Sequence, residues 1–231
     1  MRESPSDFTA FSADPPGQPP VRGFLHVPNG ATAEGLVLTH GAGGNSRTAL
    51  LVAVSRAFAA AGFHVLRCDL PFRQARATGP PSPAGAARDR AGLQAALHAM
   101  RELGARSVIL GGSSYGGRQA SMLAADAPEI ARALLLFSYP LHPPGKPDTP
   151  RTAHLAQLRT PTVFVFGTRD PFGSPAEIRQ AVKLVPAPTA LVEVEGAGHD
   201  LSRGRRAADE THREVAARAL DALRGLGTGR G

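Results

Sequence analysis

The chain has 231 residues, 42% of them hydrophobic, enough for one globular domain with an ample core. No run approaches the ~18 apolar residues of a membrane span. Met1 to Pro20 is polar and proline-rich and lacks the apolar stretch of a secretory leader. The net charge of +7 comes from 24 Arg and 2 Lys scattered along the chain, densest at Arg203, Arg205 and Arg206, with only 5% aromatic residues to stack on bases. That distribution argues against a nucleic-acid surface and fits, more weakly, steering of anionic substrates.

In chain order, residues 1–20 read as a disordered N-terminal arm or a loose first strand. Gly23 to Val27 reads as an edge strand, and Gly35 to Thr39 as a buried one. An Ala-rich helix follows, about Arg47 to Ala61, stopped by Gly62. His64 to Cys68 is a strand; residues 74–85 are a Pro/Gly-rich loop; a helix of about Ala86 to Leu103 stops at Gly104. Val108 to Leu110 is an apolar strand, and Arg118 to Ala125 is compatible with a helix. Strands 133–137, 162–166 and 190–194 follow, with helices at about Pro175 to Leu184 and Arg206 to Arg224. This alternation predicts an α/β fold: a mostly parallel twisted sheet with helices on both faces. Residues 21–225 form the single domain, and 226–231 a frayed tail. No internal repeat is present. Cys68 is the lone cysteine, so no internal disulfide forms. That suits a cytoplasmic location, and its place in a strand suits a buried apolar side chain. No Cys or His spacing indicates a metal, no cofactor is expected, and nothing in the pattern specifies an oligomeric state.

The chemistry is concentrated where the strand 108–110 meets its helix. Gly112-Ser113-Ser114-Tyr115-Gly116 is a G-x-S-x-G match between strand and helix, the context of a nucleophile elbow. Side chains at 112 and 116 are expected to collide across so tight a turn, and Ser114 to carry a strained backbone that exposes its hydroxyl. A serine nucleophile needs a base, and the base an orienting acid. Asp170 follows strand 162–166 and His199 follows strand 190–194, which gives the order Ser, Asp, His with all three at carboxyl ends of strands. Asp69 also follows a strand but precedes Ser114; Asp200 adjoins His199 too closely to reach its Nδ1. Upstream, His40-Gly41-Ala42-Gly43-Gly44 follows strand 35–39. Such a loop brings backbone N–H groups close to a substrate, and lacks both the G-x-G-x-x-G spacing and the lysine of a phosphate loop. Ala42 and Tyr115 are the expected N–H donors of an oxyanion hole.

Together these pieces resemble the α/β-hydrolase superfamily over about residues 21–225. More narrowly, Gly111 to Arg118, Tyr139 to Pro147 and Phe166 to Gly173 resemble a small branch of dienelactone-hydrolase-like hydrolases. That branch also contains a subunit of a eukaryotic chromatin-modifying complex. Dienelactone hydrolases carry Cys as the nucleophile, where this chain has Ser114. The resemblance implies the fold and hydrolase chemistry but names no substrate; the Ser114, Asp170 and His199 reading makes small to medium carboxylic esters, cleaved through an acyl-enzyme, the expected substrates, with lactones and thioesters as further candidates. A non-catalytic scaffold that keeps the fold as an interaction surface is the alternative. His40, Gly41, Arg73, His142 and Arg169 are candidate substrate contacts, Arg73 and Arg169 as carboxylate clamps. Between strands 133–137 and 162–166, where larger relatives insert a lid, residues 138–161 carry five prolines before Thr152. They are expected to form a rigid rim and no substantial lid domain.

Overall fold

A computed structural model describes residues 8–204 and 207–228. Eight strands form one sheet: β1 (Thr9–Ala13), β2 (Val21–His26), β3 (Glu34–Thr39), β4 (His64–Cys68), β5 (Ser107–Ser113), β6 (Ala133–Phe137), β7 (Thr162–Gly167) and β8 (Thr189–Val194). Their order across the sheet is β1-β2-β4-β3-β5-β6-β7-β8. From β4 to β8 every neighbouring pair is parallel; β1 and β2 are antiparallel to each other, and β2 to β4. The expected α/β architecture is therefore present, with an antiparallel edge.

The helices are α1 (Ala49–Ala60), α2 (Pro71–Ala75), α3 (Ala86–Glu102), α4 (Tyr115–Asp126), α5 (Pro175–Val182) and α6 (Ala208–Thr228). Buried strands send alternate residues to opposite faces. Leu36, Leu38, Val65 and Ile109 pack with Leu51, Val54 and Phe58 of α1 and Val215 and Ala219 of α6. Val37, Leu66 and Leu110 pack on the other face with Leu93 and Leu97 of α3, Ala120 of α4 and Ile178 of α5. Each Val, Leu or Phe removed from water in this way contributes about 1.5–3 kcal/mol. Helix α5 starts on a capping box: Ser174 Oγ accepts from the Glu177 N–H, and the Glu177 carboxylate accepts from the Ser174 N–H at 2.8 Å.

Two expectations for the chain ends need correction. Residues 9–13 of the supposed arm form β1, in register with β2 from Thr9 opposite Leu25 to Ala13 opposite Val21. This is the loose-first-strand alternative, made stable by an antiparallel partner. Residues 1–7 lie outside the described residues. At the other end α6 runs through Gly225 to Thr228, beyond the expected stop at Arg224; residues 229–231 lie outside the described residues, as do Arg205 and Arg206 of the densest basic group.

Candidate active site

The site forms where β3, β5, β7 and β8 end. Strand β5 finishes at Ser113, and α4 begins at Tyr115, leaving Ser114 as the single residue of the turn. Its φ of 49° and ψ of −116° are costly for a residue with a Cβ. Two hydrogen bonds hold it there: the Ser114 N–H donates to the Phe137 carbonyl at 2.8 Å, and the Arg118 N–H donates to the Ser114 carbonyl at 2.9 Å. The glycines around it are required by close approach. A Cβ on Gly112 would lie 2.7 Å from Gly116 C, the expected collision across the turn. A Cβ on Gly116 would instead strike the His40 carbonyl oxygen at 2.4 Å and Thr39 Cγ2 at 2.6 Å. Gly116 therefore makes room for the neighbouring β3 exit, not for the turn itself.

His199 meets Ser114 and Asp170 at once. Its Nε2 is 2.8 Å from Ser114 Oγ, and its Nδ1 is 2.8 Å from Asp170 Oδ2 and 2.9 Å from Oδ1. Asp170 is only 8% exposed, and its Oδ1 also accepts the Phe172 N–H at 2.9 Å. The Phe172 ring stacks on the His199 imidazole, centroids 4.1 Å apart. The acid-bearing and base-bearing loops are fastened together: Arg169 N–H donates to the Ala197 carbonyl at 2.9 Å, and Gly196 N–H to Thr168 Oγ1 at 2.9 Å. With Nδ1–H given to Asp170, Nε2 is left with its lone pair toward the Ser114 hydroxyl, the tautomer a general base needs.

The competing aspartates are engaged elsewhere. Asp69 Oδ1 accepts the Ser46 N–H at 2.7 Å, and Asp200 holds the Ser202 N–H and hydroxyl at 3.0 and 2.7 Å. Among the described residues, the backbone N–H groups of Ala42 and Tyr115 donate to no carbonyl or side chain. Tyr115 opens α4, so its N–H is one of the helix's unsatisfied first donors. Its phenol is anchored away from the turn, donating to the buried Asp89 carboxylate at 2.7 Å. Burial and then that carboxylate push the phenol pKa well above its ordinary value. Sequence patterns gave no signal for Asp89; Phe172 was within reach as the residue two beyond the acid.

The five candidate substrate contacts separate. Gly41 lies against Ser114. Arg169 is exposed beside Asp170 and has no ion pair among the described residues. His40 is a correction: it is fully buried, its Nδ1–H donates to the Gly41 carbonyl at 2.8 Å, and its Nε2 accepts the Leu70 N–H at 3.1 Å. Burial holds its pKa below the usual histidine value. It ties the 41–44 loop to the residue before α2 and has no surface to offer a substrate. Arg73 is a second correction, since its guanidinium is buried among backbone carbonyls rather than offered to a carboxylate. His142 is a third. Its Nε2 is 3.6 Å from Glu177 of α5, and it lines a surface pocket with Pro147, Pro150 and Leu184 that includes none of Ser114, Asp170 or His199.

Comparison with known proteins settles the family. The alpha/beta hydrolase domain model matches residues 32–226. This chain belongs to the alpha/beta hydrolase family. A curated relative, the putative protein-lysine deacylase ABHD14B of Rattus norvegicus, is 32% identical over 165 residues, 71% of this chain and 73% of that protein. Polyketide synthase ThaQ of Burkholderia thailandensis is 50% identical over 48 residues, which span 21% of this chain and 2% of that protein. Among solved structures, a dienelactone hydrolase from Anabaena variabilis superposes with a TM-score of 0.72 at 22% identity, covering 95% of this chain and 98% of that one. XC6422 of Xanthomonas campestris, described as an a/b serine hydrolase without a lid, gives 0.70 at 16% identity and 97% coverage of both chains. The fold is that of a dienelactone-hydrolase-like α/β hydrolase with no substantial lid domain. Among the described residues no helix is long and apolar enough to cross a membrane.

Proposed function

We propose that the chain is a cytoplasmic serine hydrolase that cleaves small to medium carboxylic esters through an acyl-enzyme. The observation that carries this reading is the unbroken chain from Asp170 through His199 to Ser114, with both links at 2.8 Å. Ser114 Oγ attacks the ester carbonyl carbon as His199 Nε2 takes its proton. The C–O π pair moves onto oxygen, and the Ala42 and Tyr115 N–H groups stabilise that oxyanion. Collapse expels the alcohol, which takes the proton from His199. His199 then activates a water that attacks the acyl carbon and releases the acid and Ser114. Asp170 orients the imidazole and stabilises its charged form.

The chemistry extends to lactones and thioesters, whose carbonyls develop the same oxyanion. The lysine deacylase name attached to the rat relative makes N-acyl-lysine a substrate to include in the same panel. The experiment is labelling of purified protein with a fluorophosphonate probe, followed by p-nitrophenyl esters of increasing acyl length and an N-acetyl-lysine peptide. Covalent labelling that is lost in Ser114→Ala supports the reading. An unlabelled, inactive wild-type protein supports the non-catalytic scaffold instead.

A further inference from the structure

Arg73 is the most heavily hydrogen-bonded side chain near the site. It stands in α2 and is only 7% exposed. A guanidinium has five N–H donors in a rigid planar fork, and here all five meet backbone carbonyls. Nε–H donates to Gly44 at 2.8 Å. Nη2 donates to Ala42 at 2.7 Å and Gly79 at 3.2 Å, and Nη1 to Ala77 at 2.7 Å and Arg76 at 3.4 Å. No carboxylate pairs with it among the described residues. A buried charge with no counter-ion is expensive unless its hydrogen bonds are complete. What this one secures is the relative position of two loops: 41–44, which carries the Ala42 N–H, and 76–80.

Between those loops lies a pocket of about 370 Å³, walled by Ala42 and Gly43 on one side and residues 77–80 on the other, with Arg73 also in its lining. Its walls are small side chains and backbone. Its lining includes none of Ser114, Asp170 or His199, so it marks the spacing between the two loops that Arg73 holds and is not itself a substrate subsite.

We infer that Arg73 is a positioning residue: it fixes the oxyanion loop through the Ala42 and Gly44 carbonyls and braces that loop against the carbonyls of Arg76, Ala77 and Gly79. The inference rests on the serine-hydrolase reading above. Lys at this position keeps the charge but not the planar fork, so the loop is held by fewer, softer contacts.

The test uses the full chain with active sites counted by end-point fluorophosphonate labelling. For Arg73→Lys, kcat per labelled site on p-nitrophenyl acetate falls on the order of a hundredfold, the loss typical of a removed oxyanion donor. KM changes less than about threefold, and affinity for a methyl trifluoromethyl ketone, which binds as an oxyanion, drops with kcat. A purely structural role would lower yield and melting temperature but leave both readouts per labelled site unchanged. Arg73→Met, which leaves no buried charge, replaces the Lys variant if that one does not fold. Unchanged kcat and ketone affinity per labelled site in the Arg73 variant overturns the inference alone. A wild-type protein that neither labels nor turns over ester overturns it together with the hydrolase reading.

Discussion

Gly41 is pressed against Ser114. A Cβ added to Gly41 would stand 3.2 Å from Ser114 Cβ and 3.8 Å from its Oγ. The first distance is tighter than ordinary contact between carbons, so one of the two residues must move by a few tenths of an ångström. Ser114 has little freedom to yield, since its N–H and carbonyl are both hydrogen-bonded and its backbone is already strained. Gly41→Ala is therefore expected to fold normally and lose about ten- to a hundredfold in kcat, because small misplacements of a nucleophile are costly. Kinetics with matched circular dichroism check this. Wild-type kcat in the folded variant would show that the contact is not sensed at the hydroxyl.

Asp170→Asn separates orientation from charge. The amide nearly matches the carboxylate in shape and can keep its link to the Phe172 N–H. Its NH₂ group, however, donates toward His199 Nδ1 and so favours the tautomer with hydrogen on Nε2, facing Ser114. That imidazole cannot accept the serine proton. The expected loss in kcat is about 10⁴-fold, as for the same change in other Ser-His-Asp sites. A loss of less than about tenfold would move the orienting role away from Asp170.

The parts of the molecule that were legible are those set by local pattern. The Gly112–Gly116 spacing between an apolar run and a helix marks the turn at Ser114, and strand-then-loop placement marks Asp170 and His199. Strand β1 was only half legible because Phe11 and Ala13 alone of its five residues pack on the core, too short an alternation to stand out from a polar, proline-rich segment. Helix α2 is too short, at five residues, to show a helical repeat. The role of Arg73 was hidden for a different reason: its partners are backbone carbonyls up to 31 residues away, and backbone atoms leave no mark on residue type. His40 carried a misleading mark. It borders a glycine loop beside the nucleophile, yet its ring turns inward to Gly41 and Leu70.

His154 makes stability depend on pH. Its ring is partly buried against Ser121, with Nε2 2.8 Å from Ser121 Oγ and the cationic Arg118 nearby. Burial, then Arg118, lowers its pKa to about 4 from an ordinary value of 6.5. Above pH 6.5 the ring is neutral in both the folded and unfolded chains, and its contribution is complete. As pH falls from 6.5 toward 4 the unfolded chain takes up the proton first, so stability is lost across that window. Buried His40, with its own lowered pKa, acts with the same sign. Water screens the partly exposed His154 ring, which limits its share to about 1 kcal/mol. Urea midpoints between pH 7.5 and 5 should fall for wild type and fall less for His154→Gln. Parallel slopes for the two proteins would remove His154 as a source.

The rim over residues 138–154 is fastened down, which bears on the substrates the site can take. Tyr139 OH donates to the Arg151 carbonyl at 2.7 Å, and Arg151 N–H donates back to Leu141 at 2.6 Å, closing the segment on itself. His142 N–H donates to the Phe172 carbonyl at 3.2 Å, which ties the rim to the residue stacked on His199. Burial of the Tyr139 phenol, whose pKa is pushed up to about 12, keeps that bond neutral and intact at working pH. Between β6 and β7 the only helical structure among the described residues is the three-residue 3₁₀ turn Leu155–Gln157. A segment held at both ends with no helix of its own cannot swing off the site as a cover. The exposed large apolar side chains, Val27, Leu103 and Leu184, include none from this rim to grip a fatty chain, and each buried CH₂ forgone is worth about 0.8 kcal/mol. The expected result is a preference for short acyl esters and no rate jump as substrate passes from monomer to micelle. Initial rates for p-nitrophenyl acetate and p-nitrophenyl decanoate, followed across their solubility limits, provide the measurement. A sharp rise at the interface, or a higher kcat/KM for the decanoate, would mean that the rim opens or that an acyl groove forms beneath it.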